Sequence, residues 1–221
     1  MSRWFVGCGL VALVLAAVIG WFAYNFVENL SRSSSVNQEA RSRYREASLA
    51  HPFTLTGGAP FDDARLETYL AARRTAAETA RAHLTRVEEA QGPNRLTTMF
   101  QGYAETARAH ALALESSGMS PEEYRFFDQE IAVLLEEGDP AFEPLRTART
   151  ALVRRLESLD AKNVSILAEF PLLPLMKSGR IVIPAADRTR LAARAADLAA
   201  TADALLIEIF EGLAGDLDFE K

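Results

Sequence analysis

The chain has 221 residues, 49% of them apolar and 24% charged, and a formal net charge of -6. That is the composition of one folded domain with a real core rather than of a disordered chain. Its acid surplus, with arginines interspersed among acids at helical spacing, excludes a phosphate-tracking surface, so nucleic acid is not an expected partner. The only cysteine is Cys8, which leaves the rest of the chain without a thiol for a disulfide or a cysteine metal site.

From Trp4 to Val27 the sequence runs 24 residues without a charge, and a helix rising about 1.5 Å per residue needs only about 20 to cross a bilayer core. Residues 1–30 are therefore expected to be a single transmembrane signal anchor, with Trp4 at one interface and Trp21 and Tyr24 at the other. A cleaved secretory signal is the rival, but its apolar stretch would be shorter. Cys8, Ala12, Ala16 and Gly20 recur at four-residue steps. They draw either a packing face for a second span, and so a homodimer or a membrane-protein partner, or a chance stripe of common small residues. Arg32, Arg41, Arg43 and Arg45 favour a cytoplasmic domain, whereas the signal-anchor form favours an extracytoplasmic one. The second is the expectation, on a bacterial inner membrane.

Residues 31–61 read as a linker and lead-in loop. SRSSSVN lacks periodicity, a short helix around 38–49 is expected, and Pro52, Gly57, Gly58 and Pro60 forbid regular helix. Residues 62–214 read as the bundle domain. Asp62 or Asp63 caps a helix to about Gln91, with Leu66, Leu70, Ala77, Ala80, Leu84 and Val87 inward, and Gly92-Pro93 stops it. The next helix runs from about Leu96 to Ser116, with Met99, Phe100, Tyr103, Ala107 and Leu114 on its inner side. Ser120-Pro121-Glu122-Glu123 is a capping box that starts the third. A fourth begins near Pro140. The last, from Ala185 to Leu213, steps through Leu191, Ala195, Leu198, Ala202, Leu205 and Ile209. Short turns between helices predict an all-α, antiparallel bundle of about four or five helices, with residues 215–221 as a frayed tail.

Between the last two helices lies PLLPLMKSGRIVIP, residues 171–184. Leu172, Leu173, Leu175, Met176, Ile181, Val182 and Ile183 form either an interaction loop or a connection folded across the end of the bundle, with a short strand at Ile181–Ile183.

The seven residues AETARAH occur at 77–83 and again at 104–110, followed by Glu88 and Glu115. Two histidines and nearby acids invite a metal centre, but each Glu–His pair is five residues apart, about 140° around a helix, where di-iron bundles use three. His51 has no partner near it in sequence. Glu88-Glu89, Glu122-Glu123 and Glu136-Glu137 read as solvated charges, and no Gly-x-Ser-x-Gly elbow or phosphate loop is present. No cofactor and no enzyme activity are expected. In topology the chain is similar to the sensor half of bacterial transmembrane receptors, although those usually return through a second span. The expected function is a membrane-anchored interaction or scaffold protein of the cell envelope, with a ligand-sensing or apolar-ligand carrier domain as the alternative.

Overall fold

The computed structural model describes residues 28, 31–53, 61–91, 93–160 and 183–204, and among these every regular element is helical. Residues 31–50 form α1. It is followed by α2 (Asp63–Glu89), α3 (Pro93–Ser117), α4 (Pro121–Glu136), a 3-10 turn (Pro140–Phe142), α5 (Glu143–Asp160), α6 (Ala185–Ala193), α7 (Ala195–Ala200) and a 3-10 turn (Ala202–Ala204). None of these helices is long and apolar enough to cross a membrane. The Trp4–Val27 segment, its small-residue stripe and most of the 171–184 loop lie outside the described residues.

Local chemistry sets most boundaries. Asp62 caps α2 by accepting the Arg65 N–H at 2.7 Å, and Ser120 caps α4 by accepting the Glu123 N–H at 3.1 Å. The Glu123 carboxylate, which a capping box would turn back, pairs instead with Arg65 of α2. Gly118 and Gly138 end α3 and α4 at φ of +66° and +74°, a region that side chains disfavour. After each glycine the chain returns a hydrogen bond five residues back, Met119 N–H to Leu114 at 3.1 Å and Asp139 N–H to Leu134 at 3.3 Å.

Small residues let the first three helices approach closely. Ala76, Ala77 and Ala80 of α2 are buried, as are Ala104, Ala107 and Ala111 of α3. Arg65 at the start of α2 reaches the Gly118 carbonyl beyond the end of α3, and Arg86 near the end of α2 pairs with Glu105. This hairpin is therefore antiparallel. The first helix runs parallel to α3, with Glu39 beside Arg108 and Arg43 beside Glu115.

Three expectations need correction. Residues 31–37 are helical, not linker; the helix they begin buries Ser33, Ala40 and Ala47 at seven-residue steps, a heptad too small and polar to register as hydrophobic periodicity. The last helix is broken rather than continuous, because Arg194 and Thr201 each adopt φ of -108° with ψ near zero. There Arg194 reaches Glu67 and Asp197, and the Thr201 hydroxyl lies 3.1 Å from the Asp197 carbonyl oxygen while taking the Arg73 side chain. Nor is the bundle antiparallel throughout. Asp139, just before α5, pairs with Arg188 near the start of α6, and Arg155 near the end of α5 pairs with Glu88 at the end of α2. Arg190, Arg194 and Asp203 meet Asp63, Glu67 and Arg81 in register. Both α5 and α6–α7 thus run in the direction of α2, and the long connection after Asp160 permits that crossover where a short turn would not.

The core joins Leu66, Tyr69 and Leu70 of α2 to Phe127, Ile131 and Leu134 of α4, Phe142 of the turn, Leu145 and Leu152 of α5, and Leu191 and Leu198 of α6–α7. Tyr69 stacks on Phe127 at 4.8 Å between ring centroids and lies 4.9 Å from Tyr124.

Candidate functional site

Two clusters of buried polar side chains lie inside this core. The first centres on Arg73, which is 1% exposed. Its Nη1 donates to Asp128 Oδ1 at 2.9 Å and to the Tyr69 hydroxyl at 3.0 Å, and its Nε donates to Thr201 Oγ1 at 3.2 Å. Tyr69 in turn donates to the same Asp128 oxygen at 2.5 Å. Burial pushes the Tyr69 hydroxyl well above the usual phenol range, so it stays a donor. The cluster ties α2, α4 and the end of α7 together.

The second cluster is not closed. Glu130 of α4 is 1% exposed and Asp187 of α6 is 0% exposed, and each keeps one carboxylate oxygen without a hydrogen-bond partner among the described residues. Of the two carboxylates Arg190 meets Asp187: its Nη1 lies 3.3 Å from Asp187 Oδ1 and 2.8 Å from the Phe61 carbonyl oxygen, and its Nε lies 3.0 Å from Asp63. Burial, and then the charge of Asp187, raise the Glu130 carboxyl from 4.5 to about 7. Asp187 is also raised, chiefly by burial, with Arg190 and the Phe61 backbone pulling the other way. A carboxyl group in that state holds a proton near neutral pH.

The two histidines of the AETARAH repeat occupy separate interfaces. His83 bonds the Thr98 carbonyl oxygen at 2.5 Å across the α2–α3 turn. His110 lies 2.8 Å from the Tyr44 hydroxyl of α1 and edge-on to Tyr124 at 4.3 Å. Burial lowers both, His110 to about 3, so both are neutral at physiological pH. The glutamates following each repeat serve ion pairs, Glu88 with Arg155 and Glu115 with Arg43. No group of three metal-ligating side chains occurs among the described residues. The His51 backbone N–H donates to the Ala47 carbonyl oxygen at 2.9 Å at the end of α1, and its ring lies beside Gly118.

Of the loop residues singled out in the sequence, only Ile183 is described, and it packs against the core. Cys8, Ala12, Ala16, Gly20, Leu172, Leu173, Leu175, Met176, Ile181 and Val182 lie outside the described residues. The buried charges, by contrast, were missed although each had a signal. Arg73 continues the inward series of Leu66, Leu70, Ala77 and Ala80, Glu130 falls between Phe127 and Leu134, and Asp187 sits four residues before Leu191. A charge on an apolar stripe was the sign of a buried polar site. Comparison with family models, curated proteins and solved structures finds no match for this chain.

Proposed function

We propose that the protein is a non-catalytic, membrane-anchored interaction module of the bacterial cell envelope, with Trp4–Val27 as its anchor and the helical bundle extracytoplasmic. The observation that carries this reading is the charge-free 24-residue stretch ending at Val27, close before a helix over residues 31–50 that is seated on the bundle. Ala40 and Ala47 are buried there and Tyr44 bonds the Ala107 carbonyl oxygen at 3.2 Å. Few residues separate the anchor from that helix in the sequence, which would keep the bundle near the bilayer. Large side chains fill the core: Tyr69, Phe127, Phe142, Leu134 and Leu198 are each less than 2% exposed. That supports recognition by surface over enclosure of an apolar ligand.

The test is membrane fractionation of the full chain with an alkaline wash, alongside a reporter active only outside the cytoplasm fused after Lys221. Retention in the washed membrane, release on deletion of residues 4–27 and an active reporter are expected. A full chain recovered in the soluble fraction overturns the anchor, and an inactive reporter on a membrane-bound chain overturns the sidedness.

A further inference from the structure

Buried carboxylates normally have a cation or donors to hold each oxygen, because an ion without them costs several kcal/mol. Glu130 has neither. Among the described residues no guanidinium pairs with it, and the charge it meets is the carboxylate of Asp187 on the neighbouring helix. Among the described residues, the neighbouring cations are committed elsewhere. Arg190 holds Asp187, Asp63 and the Phe61 carbonyl oxygen. Arg188 of α6 pairs with Glu137 and Asp139, Arg146 of α5 with Glu143 and the Asp139 carbonyl, and Arg65 of α2 with Glu123. Just before Glu130 on α4, Asp128 is bound to Arg73 of α2. A divalent cation is a poor occupant for the pair, since it needs about six oxygen ligands and Arg190 already covers one side of Asp187.

The helix that carries Asp187 is short and held by its contacts rather than by its own ends. It has nine residues and no side-chain cap at its start, where Pro184 takes the cap position. It is also separated from α7 by the break at Arg194. A helix this short draws its stability from docking rather than from its own hydrogen bonds, and the face it docks includes Asp187 and Leu191, both 0% exposed.

We propose that Glu130 and Asp187 form a proton-operated latch, which holds α6 against α4 while a proton is bound to Glu130 and loosens it when both carboxylates are ionised. Loss of that proton to water leaves two negative charges in the core with one guanidinium, that of Arg190 on Asp187, to offset them. Undocking α6 rehydrates both. The bundle end at the start of α6 would open, while the α1–α3 half, held by Ala40, Ala107 and the Tyr44–His110 contact, keeps its packing. The direction is unusual: the domain is tightest in mild acid and loosens toward neutral and alkaline pH. In a domain on the outer side of a membrane, this end of the bundle would respond to external pH.

The experiment is hydrogen exchange on the full chain in detergent micelles, with protection at residues 185–200 corrected for intrinsic rates and referenced to α2. Between pH 5 and pH 8 the opening of α6–α7 should rise on the order of a hundredfold in the wild type, because each unit between the unfolded and folded titration points is worth a factor of ten. Glu130→Gln, which keeps the shape and removes the charge, should stay closed at both pH values. Glu130→Leu extends the apolar face of Phe127 and Leu134 and should also stay closed, so the test survives if the first variant fails to fold. Wild-type opening that is flat with pH relative to α2, or an equal rise in a folded Glu130 variant, overturns the latch.

Discussion

The guanidinium of Arg73 on α2 lies 2.9 Å from the carboxylate of Asp128 on α4, and the same Asp128 oxygen takes the Tyr69 hydroxyl, so one acceptor holds two donors inside the core. Arg73 is 1% exposed while the Asp128 side chain keeps 15%, so the cation is the partner that depends on the pair.

Asp128→Ala should therefore destabilise the protein by about 3–5 kcal/mol, the cost of leaving a buried charge uncompensated. Arg73→Met in the same chain should recover much of that loss, giving strong non-additivity. Urea unfolding of the single and double variants checks both.

Gly102 is a site of close approach rather than of backbone freedom. A Cβ there would lie 1.5 Å from the His83 ring, so Gly102→Ala forces the imidazole off the Thr98 carbonyl or separates α2 from α3. A loss of about 1–3 kcal/mol is expected. It should shrink when the alanine is combined with His83→Ala, which vacates the space; thermal unfolding of the pair measures the coupling.

His110 and Glu130 act on stability with opposite signs. His110 titrates at about 3 in the folded state against 6.5 unfolded. As pH falls from 6.5 toward 3 the unfolded chain takes the proton first, and about 1.4 kcal/mol per unit is lost. Glu130 titrates at about 7 folded against 4.5 unfolded. Its contribution is full below 4.5 and is lost at a similar rate as pH rises through 7. Between 4.5 and 6.5 the two nearly cancel, so global stability should be almost flat there. Glu130→Gln should unmask the His110 slope, and chemical denaturation at half-unit pH steps reads it directly.

Ser120→Ala removes the acceptor for the Glu123 N–H at the start of α4. A loss of about 1 kcal/mol is expected. Because Glu123 pairs with Arg65 rather than closing a capping box, Glu123→Gln should weaken the α2–α4 contact while leaving the helix start intact, which circular dichroism and urea midpoints together distinguish.

Caps, glycine stops and three- or four-residue apolar steps were enough to place α2, α3 and α4 to within a few residues, because each is a matter between neighbours one helical turn apart. Ser120 caps its helix and Gly118 and Gly138 end theirs as their positions in the sequence imply. The direction of α5 against α6–α7 was not of that kind. It is decided by pairs such as Asp139 with Arg188 and Arg155 with Glu88, dozens of residues apart. The burial of Ser33, Ala40 and Ala47 in α1 is likewise a property of the assembled bundle rather than of neighbours in sequence. Above all, whether Arg73, Glu130 and Asp187 meet water or protein is a property of the assembled core. A charge on an apolar stripe can turn outward or be enclosed, and only the helix packed across from it decides which.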